Sequence, residues 1–538
     1  MLIASLSFSL SNLSLSSELC NSSRSHYALS SPSTAAPPCP LAPPDSLSRP
    51  PAAAAATLPS PTLRRPMDRR RDDDGGGDGH GSRNGTCRRD PGEGERDSER
   101  AGKKPRLPAA PVSGAELCSE FSHHQRGVAR INNGSFGSCP GSVLAAHRDW
   151  QLRFLQQPDD FYFNSLRGGI LRSRALVKDL VNADDADEVS LVDNVTTAAA
   201  IVLQQVGRGF AESRFEPGDA VLVFHCVFQA VKKSIQAYVA SAGGSIVEVE
   251  LPFPVSSNEQ VIAAFRKGLE RGKKNGRRVR LAIIDHITSM PSVLIPVKEL
   301  VKVCREEGVD QVFVDAAHAI GSVEVDVQDI GADFYVSNLH KWFFCPPSVA
   351  FLYCRKSSGL VSNMHHPVVT HEYGNGLPIE SAWVGTRDYS SQLVVPAAFE
   401  FVERFEGGIQ GIIKRNHEQV VKMGQMLAES WGTNLGSPPE MCASMIMVGL
   451  PSKLCIFGGE DALRLRSYLR VNHGIEVPIH YQAPADGVDG PRDKDGSITG
   501  YARISHQVYN TEDDYFRFRD AINQMVENNV TCKMLPVE

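Results

Sequence analysis

From about residue 187 to 340 the chain alternates between two rhythms. Short apolar runs at 190–193, 220–224, 245–251, 281–284 and 312–314 are rich in β-branched and aromatic residues and have the length of buried strands. Between them, residues 258–271 and 296–307 repeat apolar positions every three or four residues, the spacing of amphipathic helices, and an Ala-rich stretch after Asp193 reads the same way. Alternating strand and helix predicts an α/β fold, a mainly parallel sheet joined by right-handed crossovers. Upstream, 145–155 has helical spacing. Downstream, 349–353 reads as another strand, 396–405 and 414–431 as helices polar on one face, and 443–448, 474–479 and 501–505 as short strands between helices. The expected organisation is a large domain over 116–390 and a small α/β domain over 391–538.

Composition changes the picture at the N-terminus. Residues 1–66 are rich in Ser, Pro and Ala and hold two acids, Glu18 and Asp45, against Arg24, Arg49, Arg64 and Arg65. That is the composition of an organelle transit peptide, plastid rather than mitochondrial because early basic residues are missing. Residues 67–115 are charged and Gly-rich and cannot bury enough apolar surface to order themselves. A start at Met67 would delete the signal and leave a cytoplasmic protein, or a nuclear one if Lys103-Lys104-Pro105-Arg106 acts as an address. Net charge is −6, which argues against a general nucleic-acid binder. No apolar run approaches the ~20 residues of a membrane-spanning helix. Twelve cysteines lie scattered without CxxC pairs, the pattern of a reduced protein without a disulfide framework or metal centre.

The candidate chemistry sits where apolar runs end. Val312-Phe313-Val314 stops at Asp315, and Phe334-Tyr335-Val336 runs into Ser337-Asn338-Leu339-His340-Lys341-Trp342. Ligands collect at the carboxyl edge of open α/β sheets. An acid and a lysine at two such ends is the arrangement a pyridoxal phosphate enzyme needs: the lysine holds the aldehyde and the acid pairs with the ring nitrogen. Each residue alone has a plainer reading, a helix-capping aspartate and a solvated lysine. Thr196 and Thr197 fall at a helix start, where hydroxyls and free backbone N–H groups suit a phosphate, or simply cap the helix. His225 follows the strand at 220–224 and reads locally as a core histidine.

The composite is more specific than its parts. VDAAHA, a strand, then N-x-H-K-W resembles the class V aminotransferase group of fold-type I pyridoxal phosphate enzymes, in the isopenicillin-N-epimerase-like branch near the plant L-cysteine desulfhydrases. The resemblance runs from about Gly127 to the C-terminus. It implies that Lys341 carries the cofactor, Asp315 pairs with its ring nitrogen and His318 lies near its ring hydroxyl. It implies that Thr196, Thr197, Asn338 and His340 hold the phosphate, joined by Thr386 of a second subunit, since Trp383-Val384-Gly385-Thr386-Arg387-Asp388 resembles the family's Gly-Thr turn. The enzyme is therefore expected as a homodimer. His225 falls where relatives place a ring that stacks on the cofactor, with Phe228 as the alternative. Arg130-Ile131-Asn132-Asn133-Gly134-Ser135-Phe136-Gly137 resembles an entry segment that passes the active site. Arg503, in YARISHQVYNTEDDYFRF, matches the arginine that binds the substrate's carboxylate, a task for the bidentate guanidinium.

The implied reaction takes a small amino acid. The freed Lys341 amine removes the α-proton and the carbanion expels a group from Cβ. With L-cysteine that gives sulfide, pyruvate and ammonia. Cysteine desulfurases instead need a mobile cysteine shortly before the carboxylate arginine. None stands between His473 and Arg503, and Cys455 is expected in the core. Epimerisation shares the carbanion and stays open. An intact Asp315, Lys341 and Arg503 set disfavours a non-catalytic binding protein of this fold.

Overall fold

A computed structural model describes residues 112–359, 364–483 and 490–536. The leader expected at 1–66 and nearly all of the charged segment expected at 67–115 lie outside them, as does most of the loop between Tyr481 and Gly490. The strands, in chain order, are β1 (Ala129–Arg130), β2 (Val189–Val192), β3 (Ala220–Phe224), β4 (Ser245–Val249), β5 (Val279–Asp285), β6 (Gln311–Asp315), β7 (Phe334–Asn338), β8 (Ala350–Cys354), β9 (Met445–Gly449), β10 (Ile475–Glu476), β11 (Ile479–Tyr481) and β12 (Gly500–Ser505).

A seven-stranded sheet has the order β2-β8-β7-β6-β5-β3-β4. Every residue of β3, β5, β6 and β7 is buried, which is why these strands read as unbroken apolar runs: helices cover both faces. Alternate residues go to opposite sides. Leu281, Ile283, Phe313, Phe334 and Val336 pack under the helix Val195–Ala211 with Ile201 and Val202. Ala282, Ile284, Val312 and Val314 pack on the other face with Phe265 and Leu269 of the helix Asn258–Gly272 and Leu300 and Cys304 of the helix Val297–Glu306. The parallel order holds from β7 to β4. The strand expected at 349–353 is β8, and it runs antiparallel to both β7 and β2. After β7 the chain returns within eleven residues, short of the dozen or so that a parallel crossover needs.

The second sheet, β11-β12-β9, is antiparallel. The strand expected over 474–479 is two strands, β10 and β11, separated by Val477 and Pro478. Proline has no N–H for a ladder. The Pro478 carbonyl accepts the Arg503 N–H instead (3.0 Å). β10 pairs in parallel with β1, so residues just inside the N-terminal end of the described chain join the C-terminal sheet. Ala129 and Ile131 are part of its core, with Val420, Leu465, Ile504 and Phe518. The 24-residue helix Gly408–Trp431 spans both cores: Ile412 packs with the first, Val420 to Trp431 with the second. All nine described cysteines are free thiols. Among the described residues no helix is long and apolar enough to cross a membrane.

Candidate active site

β6 and β7 are neighbours, and their carboxyl ends deliver Asp315 and Lys341 to one place. Asp315 is the last residue of β6, 3% exposed, and its Oδ1 accepts the Ala317 N–H (3.1 Å). Burial pushes its carboxyl up, opposed by that hydrogen bond and by the charge on Lys341. Lys341 lies in the single-turn helix Leu339–Trp342 that follows β7. Burial first, and then the Arg503 charge, pull its ammonium down to about 7, while Asp315 works the other way.

His318 connects this pair to the core. Its Nε2 lies 3.1 Å from Lys341 Nζ, and its Nδ1 accepts the Trp342 indole N–H at 3.4 Å. A neutral imidazole that accepts at Nδ1 carries its proton on Nε2 and donates there. Burial and the Lys341 charge hold His318 well below its ordinary value, so the neutral ring faces a near-neutral amine.

On the phosphate side, Asn338 Oδ1 accepts the Val195 N–H (3.2 Å), tying the end of β7 to the start of the helix Val195–Ala211. Asn194 caps that helix through the Thr197 N–H (2.9 Å). Thr196 is exposed, and among the described contacts its amide and hydroxyl have no protein partner. His340 is fixed by Nδ1 against the Val349 carbonyl (3.1 Å), and burial pulls its ring down to about 4. The His225 ring accepts the Leu251 N–H at Nδ1 (3.1 Å) with Glu250 3.5 Å away. Among the described residues no hydrogen bond or ion pair joins it to the other expected residues. The Phe228 ring, three residues on, stays 51% exposed. Thr386 is also exposed and meets no other site residue in the single chain; its neighbour Arg387 pairs with Asp193 (2.6 Å).

Arg503 enters from β12, in the second sheet, and is 3% exposed. Its guanidinium is spread over neutral groups: the Ser289 carbonyl (2.7 Å), Asn132 Oδ1 (3.1 Å) and Ser135 Oγ (2.7 Å). Its Nε has no partner, and among the described residues no carboxylate pairs with it. Burial, and then the Arg466 charge, bring it down to about 10. A buried cation left without a counter-ion is expensive unless an anion completes it.

The entry segment does more than pass the site. Asn132 and Ser135 hold Arg503, while Asn133 Nδ2 donates to the Lys341 carbonyl (3.0 Å). Gly137, at φ +74°, presses so close that a Cβ there would meet the His340 carbonyl at 1.8 Å. Asn132, Asn133, Ser135, Ser289 and Trp342 were not separable as site residues by local pattern. Their signal, a polar residue in a Gly-rich turn or after a strand, is common. What sets the first four apart is contact with groups some 200 to 370 positions away, while Trp342 is marked only by its indole N–H on His318.

A model of the aminotransferase class-V family matches residues 167–517. The chain is 68% identical over 440 residues to an L-cysteine desulfhydrase of Arabidopsis thaliana, covering 82% of this chain and 96% of that one. It is 64% identical over 425 residues to a probable chloroplastic L-cysteine desulfhydrase of the same plant, covering 79% and 88%. Among solved structures, apo cysteine desulfurase from Thermococcus onnurineus shares the fold at a TM-score of 0.60 and 18% identity, covering 78% of this chain and all of that one.

Proposed function

Since the chain belongs to the class-V aminotransferase family, we propose that it eliminates sulfide from L-cysteine, taking up one water and leaving pyruvate and ammonia. The observation that carries this reading is a buried arginine without a counter-ion, Arg503, beside a lysine amine held near neutrality. That pairing suits a substrate with one carboxylate and an acidic Cα–H. Two plant relatives of 68% and 64% identity bear the corresponding name.

The cofactor is pyridoxal phosphate, and the residues present fit it. The start of a 17-residue helix offers the unused Thr196 amide and hydroxyl. Among the described residues no cation lies within salt-bridge reach of the buried carboxyl at the end of β6, and Lys341 supplies the amine. Bound there, pyridoxal phosphate supplies an electron-accepting ring that spreads the charge left at the substrate's Cα. Asp315 would face the ring nitrogen. Thr196, Thr197 and His340 would hold the phosphate, and Asn338 would add its amide N–H₂, its oxygen being occupied by Val195. His225 would cover the ring, its imidazole plane set by the Leu251 N–H at Nδ1, with Phe228 as the alternative. Arg503 orients the carboxylate, Lys341 takes the α-proton, and His318 Nε2–H steadies the amine.

Elimination is favoured over sulfur transfer because persulfide chemistry needs a thiolate at the substrate sulfur. No cysteine lies between His473 and Arg503. Cys455, expected in the core, is only half-buried, and its Sγ donates to the Lys453 carbonyl (3.4 Å). Cys226 stands nearer the strand ends, but burial and then Asp285 push its thiol well above the ordinary value, so it stays protonated.

We further read residues 1–66 as a plastid transit peptide, a large cofactor-binding domain followed by a small C-terminal one, and a homodimer in which Thr386 reaches the partner's phosphate. The chloroplastic name of one relative supports the first and the exposure of Thr386 the last. Incubating the purified protein with L- and D-cysteine and assaying sulfide, pyruvate and alanine tests the reaction. Sulfide with pyruvate from the L-isomer is expected; alanine in place of pyruvate would overturn it.

A further inference from the structure

β5 ends as β6 does, on an aspartate. Asp285 and Asp315 are register partners on adjacent parallel strands, so their side chains leave the same face about 5 Å apart. Asp285 is 4% exposed and Asp315 3%. Asp285 Oδ2 is sealed from solvent with no donor to accept from, and no salt bridge reaches this carboxyl among the described residues. The charged and titratable groups around it are few. Asp315 faces it from β6 and the Cys226 thiol from the turn after β3. Lys341, beyond β7, acts on Asp315 and is the cation felt there among the described residues. Just past the end of the strand, His286 turns away and meets the Tyr335 hydroxyl through Nδ1 (2.8 Å). Asp315 has the Ala317 N–H and the Lys341 charge to support an anion, whereas Asp285 has neither.

We propose that Asp285 is a second carboxyl of the site, kept in its acid form so that the Asp285–Asp315 pair carries one negative charge, that of Asp315. Its O–H is then a positioning donor that supports the Asp315 carboxylate. Two like charges at this separation, with this burial, cannot both persist. Burial, and then the Asp315 charge, push Asp285 well above its ordinary value, opposed only by a hydrogen bond from its own backbone N–H. The inference takes the role of Asp315 from the reading above, but its chief test does not depend on the reaction.

A group whose folded value is raised favours the folded state below its unfolded value and loses that contribution as pH rises through the folded one. Asp285→Asn keeps the shape and a donor but removes the titration. In the cofactor-free full-length chain, its thermal midpoint should therefore match wild type near pH 4 and exceed it increasingly toward about pH 8. A midpoint below wild type at neutral pH, or a variant that does not fold, would overturn the proposal, because an acid-form Asp285 is mimicked by the amide. The second measurement is pyridoxal phosphate affinity by fluorescence titration. The dissociation constant should stay within about twofold in Asp285→Asn and rise more than about fivefold in Asp285→Ala, where the donor is lost. Equal losses in both variants would show that the carboxylate, not the donor, matters there. Failure of the desulfhydrase reading would show in the products formed from cysteine and would leave the pH-dependent melting untouched.

Discussion

At Lys341 the surroundings make a base of a residue that elsewhere is a cation. With its amine brought down to about 7, the free form gains ground as pH rises through neutrality. Reductive methylation of the cofactor-free chain, read by mass spectrometry, should therefore label Lys341 with a rate that climbs around pH 7, well before ordinary lysines near about 10.4. Lys341→Ala should lose the covalently held cofactor and at least about a hundredfold in turnover. Asp315→Asn should cost more than about tenfold in kcat, roughly 1.4 kcal/mol of transition-state stabilisation. Arg503→Lys should raise KM for L-cysteine at least about tenfold while the visible cofactor band persists, because the ammonium cannot copy the fork. Asp315 and Lys341 stood out because each follows an apolar run, whereas Arg503 was implied only by the family resemblance of its segment. Asp285 stands at an equivalent break and was passed over, since the register that pairs it with Asp315 is a property of two strands and is written in neither.

Among the elements, the central strands and crossover helices were readable within a residue or three, because burial on both faces leaves a continuous apolar signature. The direction of β8 was not readable from its own five residues, and a proline split the expected 474–479 strand. The family resemblance put the entry segment near the site, but its local pattern is only that of a Gly-rich turn, because its importance is entirely tertiary. Gly137 gives it a sharp test. A side chain there must both hold φ near +74° and displace the His340 carbonyl. Gly137→Ala should cost about 2 kcal/mol or more of stability by thermal melting and weaken cofactor retention with it. Loss of neither would mean that the clamp on the lysine turn is slack.

For the whole molecule, the prediction concerns subunits. Thr386 is exposed in one chain, so its proposed partner lies in another. Mixing inactive Lys341→Ala protomers with a Thr386 variant of weakened cofactor binding should restore part of the activity, while light scattering should report a dimer. A monomer at working concentration would rule this out. Of this level the chain itself said least: the C-terminal sheet was visible, but its union with residues 129–131 was not, because pairing over some 340 positions leaves no local periodicity.

That union has a consequence for biosynthesis. Translation runs from N- to C-terminus, and residues 132–137 can be pinned only once β10 and β12 exist to receive them. A nascent chain that has completed the large sheet still lacks Arg503 and the strand that anchors the turn over Lys341. No fragment that ends before β12 can assemble this pocket, which waits until the last hundred residues have arrived and folded.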